Sequence, residues 1–393
     1  MARCDVAIVG GGVMGASVAF WLTRMRPGLA VTVIERDPTY AQAATALSLA
    51  SIRQQFTTDV NVRISRFGIE FLRNIGDWTG TATGVSDLGL TENGYLFLTT
   101  SGAAAAVMVE VAAMQNRHGA GTLVLDRDAL RLRFPWVNGD DLVAGSFGPR
   151  DEGWFDNMGL LGAFRAAARM QGAAFLTDEV QGIAVQSGRV TGLRLAAGGM
   201  LDCGAMVNAA GTRAAPLMAT AGLALPVEPR KRSVFVFEAR DRFDDMPLVV
   251  DPSGIYVRPE GSVHICGGAE DEAGEQAADP GDFEPDWPLF EGIIWPVLAG
   301  RIPAFEAIKA SAPWANVTYT DGSDRSSALA AANGADVVIV FATQFTMEGM
   351  DARMALDGDQ DALIADLAAA NRNLIVVLET GGPVAMPWLD RAT

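Results

Sequence analysis

The sequence predicts an α/β protein, and two observations carry that prediction. Residues 5–35 run from a short apolar segment through a glycine-rich turn and a helix to a second apolar segment. That order is typical of a βαβ unit. Farther along the chain, residues 231–238 and 247–259 alternate apolar and polar positions, which indicates strands of a sheet with one covered face.

Each residue type in the βαβ unit has a physical reason to be there. Gly10 lets the chain turn tightly out of the first strand, and Gly12 lets a pyrophosphate approach bare backbone. Gly15 allows the helix to pack close to the strand, and the helix N-terminus offers N–H groups to phosphates. Glu35, 20 residues after Gly15, stands where a carboxylate accepts hydrogen bonds from a ribose.

The unit predicts a dinucleotide site, with a ligand-free helix entry as the alternative. An acid at position 35 disfavours a 2′-phosphate, so an adenosine with a free ribose is preferred. This stretch alone does not decide between FAD and NAD.

Length and composition narrow the class of protein. A chain of 393 residues should hold two or three domains, and its net charge of −17 argues against nucleic acid and anionic membrane surfaces as partners. No run reaches membrane-spanning length, and no signal peptide is expected because Asp5 interrupts the first apolar run. Three scattered cysteines and two histidines indicate free thiols in a reducing cytoplasm and no metal site.

Periodicity predicts the elements that follow. Residues 36–56 are rich in small side chains and end in Ser51-Ile-Arg-Gln-Gln-Phe56, which suits either a segment lying along a ligand or an Ala-rich helix. The remaining pattern predicts three helices and six strands. The helices are expected at 58–78, 103–119 and about 156–171, and the strands at 94–99, 144–147, 174–176, 179–186, 190–196 and 205–212.

Several of these stretches occur together in one known family. The pieces are Gly10-Gly11-Gly12 with Glu35, SIRQQF, DEGWFD, EVQGIAVQSGRVTGLRL, VNAAGTRAAPLMATAGL and GIYVRPEG. In this order the chain up to about residue 309 resembles the flavoproteins D-amino-acid oxidase, glycine oxidase and sarcosine oxidase. The resemblance implies a Rossmann-like FAD-binding domain, made of residues 1–80 and 145–225. It also implies an interleaved antiparallel-sheet substrate domain, made of residues 81–144 and 226–310.

The resemblance also implies which residues contact FAD. Val180 is expected to offer backbone groups to the adenine edge, and Ala209 to Gly211 are expected to be small because their strand end passes close to the dinucleotide. The full set of expected contacts is Gly10, Gly12, Val13, Met14, Gly15, Glu35, Arg36, Ser48, Ser51, Val180, Ala209, Ala210 and Gly211.

A substrate site follows from the same resemblance. Tyr256 and Arg258 lie two residues apart on one face of a predicted strand, where a hydroxyl and a guanidinium can fix a carboxylate. Arg53 is expected beside them; the alternative for Arg258 is a surface arginine next to a core tyrosine. The implied reaction is oxidation of the C–N bond of an amine or amino acid, with oxygen or a carrier protein as the electron acceptor. No strong protein base is needed for it.

The C-terminal stretch departs from this family. Residues 314–393 resemble part of the C-terminal α/β sandwich domain of family-three glycoside hydrolases, through GADVVIVFA, EGMD, GDQDALI and LAAANRNLIVVLETGGPVAMPWLD. Glu348 matches the neighbourhood of an acid there. However, a retaining glycosidase needs two carboxyls, and the barrel that supplies the second is missing.

Two alternative functions therefore remain beside the flavoenzyme. One is a glycosidase fragment that binds sugars, and the other is a flavoprotein fusion with impaired turnover. Gln344 and Met347 stand where the flavoprotein family has a close glycine turn, and Glu348 adds negative charge. They predict weak FAD retention and slow or absent turnover.

Overall fold

The structure is a computed structural model. It describes residues 2–239, 243, 245–268, 277–305, 324–335, 338–344, 359–372 and 374–380. The chain divides into two compact units, residues 1–310 and residues 311–393, and each is described by itself.

Strands account for much of the first unit. Fifteen strands are described there and two in the second unit. They are β1 Ala2–Val9, β2 Val31–Glu35, β3 Ser51–Ile52, β4 Tyr95–Thr99, β5 Leu123–Asp126, β6 Ala144–Gly148, β7 Gly153–Trp154, β8 Ala174–Thr177, β9 Val180–Gln186, β10 Arg189–Leu195, β11 Met200–Asn208, β12 Val234–Phe237, β13 Leu248–Val250, β14 Tyr256–Glu260, β15 Val263–Gly267, β16 Val338–Gln344 and β17 Leu374–Thr380.

Helices connect and cover these strands. They are α1 Val13–Met25, α2 Asp59–Arg73, α3 Ile75–Thr79, α4 Gly102–Arg117, α5 Arg127–Arg133, α6 Asn157–Met170, α7 Ala214–Ala219, α8 Trp287–Leu289, α9 Trp295–Arg301, α10 Arg325–Asn333 and α11 Gln360–Ala370. A π-helical turn, Phe290–Ile294, joins α8 to α9, and 3₁₀ turns are found at Thr81–Thr83, Gly211–Arg213 and Pro303–Phe305.

The first sheet has six strands in the order β8-β2-β1-β11-β10-β9. Strands β8, β2, β1 and β11 are parallel, whereas β10 and β9 add an antiparallel edge. Helices α1 and α6 pack together on this sheet, with the rings of Phe20 and Phe164 5.4 Å apart. Because β2, β1 and β11 are adjacent and run parallel, their carboxyl ends lie at the same edge of the sheet. Open α/β sheets bind ligands at this edge.

The second sheet has seven strands in the order β12-β15-β14-β13-β4-β6-β5. Its pairs are antiparallel except for β13 with β4, which run parallel. One face is covered by a core that includes Leu96, Phe147, Phe235, Val257 and Leu298. The alternation seen in residues 231–238 and 247–259 therefore does belong to a sheet with a covered face.

The observed elements and boundaries differ from the predicted ones in four places. The strand predicted at 205–212 is observed as β11, Met200–Asn208. Residues 36–56 form turns and the short strand β3, so the prediction of an Ala-rich helix is wrong, and the interpretation as a segment along a ligand stays a prediction. The predicted helix 58–78 is broken at Asn74 into α2 and α3. The predicted domain boundary at residue 145 falls inside β6, which pairs with β4 and β5 in the second sheet.

The second unit contains a small α/β arrangement among its described residues. Strands β16 and β17 are parallel, from Val338 opposite Leu374 to Gln344 opposite Thr380. Buried residues of α10 and α11, including Ala332, Ile364 and Leu367, pack with Leu374 in one apolar cluster. Arg325 at the start of α10 forms ion pairs with Asp359 and Asp366.

Candidate functional site

The glycine turn after β1 is built around close backbone contacts. Gly10 has φ +97°, a conformation that L side chains rarely adopt, and a Cβ there would overlap the carbonyl of Ala209. The register of β1 with β11 explains this approach, since Val9 lies beside Asn208 and the Ala209 N–H donates to the Val9 carbonyl at 2.8 Å. Ala209 and Ala210 thus lie directly next to the glycine turn.

The beginning of α1 is equally constrained. A Cβ on Gly15 would overlap the carbonyl of Gly10, so only glycine lets the helix approach the turn this closely. The Val13 N–H donates to Thr45 Oγ1 at 3.0 Å, which ties the helix start to the 36–56 segment. A Cβ on Gly12 would meet only Thr45 Oγ1, at 3.0 Å, and Met14 is exposed.

Glu35 ends β2 beside this turn. Its Oε2 accepts a hydrogen bond from the Gly11 N–H at 2.7 Å, and its Oε1 accepts one from the Asp37 N–H at 2.9 Å. Each carboxylate oxygen keeps a further lone pair for hydroxyl donors. The neighbouring Arg36 is exposed, and Val180 packs near Ile34 and Ala210.

These residues fit the adenosine diphosphate half of a dinucleotide. The turn lacks side chains where phosphates would approach the start of α1, and Glu35 can accept bonds from a ribose. Gly211, with φ +57°, has open space where a Cβ would be. The expected contacts around Gly10, Gly12, Gly15, Glu35 and Ala209 are therefore brought together at one edge of the sheet.

The segment with Ser48 and Ser51 runs from that edge toward the second sheet. Asn157, at the start of α6, donates through Nδ2 to the carbonyls of Thr45 at 2.6 Å and Ser48 at 3.2 Å. Ser51 pairs with Trp154 in the two-stranded β3–β7 ladder. The main chain of this segment is therefore fixed by the Asn157 side chain and by the β3–β7 ladder. Arg53 follows directly after it.

Arg53 is surrounded by aromatic rings. Its guanidinium carbon lies 4.9 Å from the ring centre of Phe56, 5.8 Å from Phe97 and 6.0 Å from Tyr95. Its Nε is buried and has no hydrogen-bond partner among the described residues. Burial raises the pKa of Tyr95, and hydrogen bonds with the side chains of Ser51 and Arg53 oppose that rise.

Tyr256 belongs to the same aromatic cluster. It packs with Tyr95, Trp154 and Leu248, and a Cβ on Gly267 would overlap its hydroxyl. Burial raises the pKa of Tyr256 to about 12, so its hydroxyl stays protonated at neutral pH and can donate.

Arg258 differs from the expectation of a guanidinium open to a carboxylate. It is 4% exposed and lies over the Trp154 ring, with its carbon 4.8 Å from the ring centre. It donates to Glu260, to the Pro259 carbonyl at 3.0 Å and to the Leu49 carbonyl at 3.2 Å. Protein groups therefore occupy much of its fork. The side chain is buried, so the alternative of a surface arginine is wrong. Its Nε has no hydrogen-bond partner among the described residues, and contact with a substrate carboxylate stays a prediction.

Glu152 is the residue of this region that sequence reasoning missed. It is fully buried, and its two oxygens accept hydrogen bonds from the Gln54 N–H and from Gln55 Nε2, both at 2.9 Å. The sequence signal was DEGWFD, where an acid stands directly before a glycine and a tryptophan. By itself this signal indicates only the resemblance.

The neighbouring Asp151 forms an ion-pair network instead. It has φ +62° and bonds to Arg66 and Arg73 of α2, and Arg73 also pairs with Glu92. Burial raises the pKa of Asp151, but hydrogen bonds from Arg73 and Arg66 outweigh that effect, and the net pKa is lowered. The two adjacent acids thus have opposite electrostatic environments.

Three further predictions concern the turn after β16, metal binding and membrane-spanning helices. Met347 and Glu348 lie outside the described residues, and Gln344 is the last residue of β16. Across the described ranges, no group of His, Cys, Asp and Glu is arranged to hold a metal ion. In the same ranges, no helix has the length and apolarity needed to cross a bilayer.

Comparison with known proteins identifies the family. A model of the FAD dependent oxidoreductase family matches residues 5–350. FAD-dependent oxidoreductase domain-containing protein 1 of Bos taurus is 35% identical over 385 residues, which covers 88% of this chain and 78% of that protein. Mitochondrial sarcosine dehydrogenase of Mus musculus is 26% identical over 77% of this chain and 33% of that protein.

Solved structures agree on the fold. L-proline dehydrogenase from P. horikoshii has a TM-score of 0.66 and 24% identity over 78% of this chain and 79% of that one. Glycine oxidase from Geobacillus kaustophilus has a TM-score of 0.63 and 24% identity over 78% and 80%.

The same findings bear on the C-terminal stretch. The family match runs to residue 350 and so includes β16, whereas the resemblance of residues 314–393 to a glycoside hydrolase receives no support. The family match shows that the cofactor is FAD, and the residues at the carboxyl ends of β1, β2 and β11 fit the adenosine diphosphate half of that dinucleotide. This chain belongs to the FAD-dependent oxidoreductase family.

Proposed function

We propose that this enzyme oxidises the C–N bond of a small amino acid or N-methyl amino acid. FAD, when bound, supplies the chemistry by accepting a hydride at N5 from the carbon next to the amine. The residues of this chain bind and orient the substrate. The proposal rests on the surroundings of Arg53. Its guanidinium lies among three aromatic side chains, and its buried Nε has no hydrogen-bond partner among the described residues.

Arg53 suits a substrate carboxylate for two reasons. A guanidinium offers paired N–H donors that match the two oxygens of a carboxylate. The rings of Phe56, Tyr95 and Phe97 lie within 6.0 Å of the guanidinium carbon, and such apolar neighbours lower the local dielectric and strengthen a charge interaction. The protonated hydroxyl of Tyr256 adds a donor in the same aromatic cluster. We assign Arg258 a positioning role, since it bonds to the Leu49 carbonyl and supports the segment that carries Arg53.

The FAD contacts are part of the proposal. We place the pyrophosphate at Gly10, Gly12, Val13, Met14 and Gly15, next to the start of α1. The adenosine would contact Glu35, Arg36 and Val180. The remaining expected contacts, which lie along the path from the sheet edge toward Arg53 or at the end of β11, are Ser48, Ser51, Ala209, Ala210 and Gly211.

The names of similar proteins support a C–N substrate. Sarcosine dehydrogenase, glycine oxidase and L-proline dehydrogenase are all named for amino acids or N-methyl amino acids. Those names include both an oxidase and dehydrogenases, so the electron acceptor is tested with both oxygen and an artificial acceptor. We locate the reaction in the cytoplasm, on the basis of the scattered thiols.

The test is an assay of the purified full chain on free and N-methyl amino acids, with Arg53→Met beside Arg63→Met. Arg63 is an exposed arginine on α2 and serves as the matched control. We expect Arg53→Met to raise KM for carboxylate substrates at least tenfold, through a lost charge-assisted interaction of about 1.5–3 kcal/mol. FAD content should stay unchanged in both variants. Equal KM values in the two variants would remove Arg53 from the substrate site.

The glycosidase alternative is tested with the same preparation. The resemblance of residues 314–393 predicts sugar binding or, through Glu348, hydrolysis of an aryl glucoside. We expect no hydrolysis, because a retaining glycosidase needs two carboxyls that flank one bond, and the resemblance points to one acid only. Hydrolysis that disappears in Glu348→Gln would favour the alternative.

A further inference from the structure

Glu152 has no role in the proposed substrate contacts, yet the structure builds a dedicated site for its carboxyl. Gly148 of β6 lies opposite, and a Cβ there would overlap the Glu152 carboxyl group. Gln55 is fixed around the same group, since its Nε2 also donates to the Tyr95 carbonyl at 3.0 Å. Its Oε1 accepts from Ser146 Oγ at 2.6 Å. The carboxyl is thus held between β4, β6 and residues 53–55.

The bonds of Glu152 determine where Arg53 lies. Glu152 Oε1 accepts from the main-chain N–H of Gln54, the residue directly after Arg53. On the other side, Ser65 Oγ of α2 donates to the Arg53 carbonyl at 2.5 Å. Gln54 Nε2 donates to the Asp151 carbonyl at 2.9 Å. Two of these bonds hold the main chain of residues 53–54 and the third holds the Gln54 side chain. Glu152 supplies the only charged group among these three partners in the described chain.

The pKa of Glu152 is affected by its burial, by two hydrogen bonds and by two neighbouring charges. Arg53 lowers the pKa of Glu152, and Asp151 raises it. Tyr95 of β4 also faces the carboxyl, but burial raises its own pKa, so it remains neutral. On β6, the facing residues are the uncharged Ser146 and Gly148. Burial is the largest influence and brings the pKa of Glu152 to about 7, despite the hydrogen bonds from Gln55 and Gln54.

We propose that Glu152 is a positioning residue that fixes Arg53, and that Glu152 takes up a proton from solvent when a substrate carboxylate binds to Arg53. This inference rests on the proposed function. A second anion at Arg53 competes with Glu152 for the same positive charge, so each disfavours the other while both are ionised. By linkage, protonation of Glu152 strengthens carboxylate binding by the same factor by which the carboxylate favours protonation. No bond of the substrate changes in this step.

The measurement uses the FAD-loaded full chain and acetate, a minimal carboxylate probe, with acetamide as the uncharged control. Binding is followed by the change in flavin absorption between pH 5.5 and 8.5. We expect acetate affinity to fall about tenfold as pH rises through this range, which is within the usual size of such couplings. Acetamide binding should not change. Calorimetry near pH 7.5 in two buffers of different ionisation enthalpy should show net proton uptake with acetate.

The variant Glu152→Gln removes the titration. We expect it to bind acetate at pH 8.5 about as tightly as the wild type does at pH 5.5, without proton uptake. Should this variant fail to fold, the calorimetry on the wild type still decides the question. Acetate binding that is independent of pH and takes up no proton would overturn the inference and leave the proposed function standing. Absence of acetate binding at every pH would overturn both.

Discussion

Glu35 combines two tasks at the residue scale. Its carboxylate holds the N–H groups of Gly11 and Asp37, and in the proposed complex it also accepts bonds from the ribose of FAD. The first task shapes the turn, and the second recognises the ligand. Both act in the same direction, because a turn held in place before binding loses less conformational freedom when the ligand arrives.

We expect Glu35→Ala to weaken FAD binding by about 1–3 kcal/mol, which is about 5- to 150-fold in Kd. A fluorescence titration of the apoprotein with FAD measures this. Glu110→Ala, at an exposed position on α4, is the control and should bind like the wild type. Unchanged affinity in Glu35→Ala would remove this residue from the cofactor site.

Glu152 should also leave a signature in stability. Its pKa is raised in the folded protein from 4.5 to about 7, so the native state binds more protons than the unfolded state between these values. Stability from this group is therefore fully present below pH 4.5 and is lost as pH rises to about 7. A shift of this size corresponds to about 3 kcal/mol.

The comparison with Glu152→Gln isolates that contribution. Urea unfolding at saturating FAD should show the wild type losing up to about 3 kcal/mol relative to the variant between pH 4.5 and 7.5. Glu110→Gln should keep a constant difference from the wild type. A constant difference for Glu152→Gln as well would mean that the buried carboxyl titrates normally.

Sequence reasoning performed unevenly at this scale, for a physical reason. The tight turn at Gly10 and Gly15 and the position of Glu35 beside it could be predicted, because the spacing within the βαβ unit already implies this geometry; their contacts with FAD stay a prediction. Glu152 could not, since Gln54 and Gln55, which bond to its carboxyl, lie 98 and 97 residues earlier in the chain. The engaged guanidinium of Arg258 was likewise hidden, because Leu49 and Trp154 reach it only in the folded protein.

At the scale of elements, β6 packs against the turn before β7, and this contact positions the residues around Arg53. Gly148 leaves the space that the Glu152 carboxyl fills. The neighbouring bond between Ser146 and Gln55 then connects β6 to the segment that follows β3. A strand of the second sheet thus positions the loop that carries Arg53.

We expect Gly148→Ala to destabilise the protein by about 1–3 kcal/mol, because the added methyl group overlaps a buried carboxyl. In a Glu152→Ala background the same change should cost much less, and a double-mutant cycle from urea unfolding measures the difference. Gly162→Ala, on α6 with open space at its Cβ, is the control and should be neutral or stabilising. Additive costs for Gly148 and Glu152 would contradict the contact.

Element types were predicted well where periodicity was strong. Strands β8 to β10 and helices α4 and α6 lie within a few residues of their predicted bounds. Segment 36–56 was ambiguous, because its small residues satisfy a helix pattern, whereas Thr45 and Ser48 bond to α1 and α6 as parts of a loop. The conformation of this segment is therefore set by tertiary contacts and not by helix propensity.

At the scale of the molecule, the chain returns repeatedly to the same two sheets. Strands from residues 2–35 and 174–208 form the first sheet, and strands from residues 95–148 and 234–267 form the second. This interleaving places the proposed cofactor contacts and Arg53 on neighbouring segments of one unit. The resemblance predicted it from ordered motifs, which periodicity alone would not have joined.

We propose that the whole chain is a working flavoenzyme for C–N substrates with a carboxylate. The most direct measurement mixes the anaerobic FAD-loaded full chain with a panel of free and N-methyl amino acids and records the visible absorption of the oxidised flavin. We expect one group of carboxylate substrates to bleach the absorption rapidly, with Arg63→Met like the wild type and Arg53→Met requiring at least tenfold more substrate. Retained FAD with no bleaching by any amino acid or N-methyl amino acid would contradict the claim and favour the impaired flavoprotein.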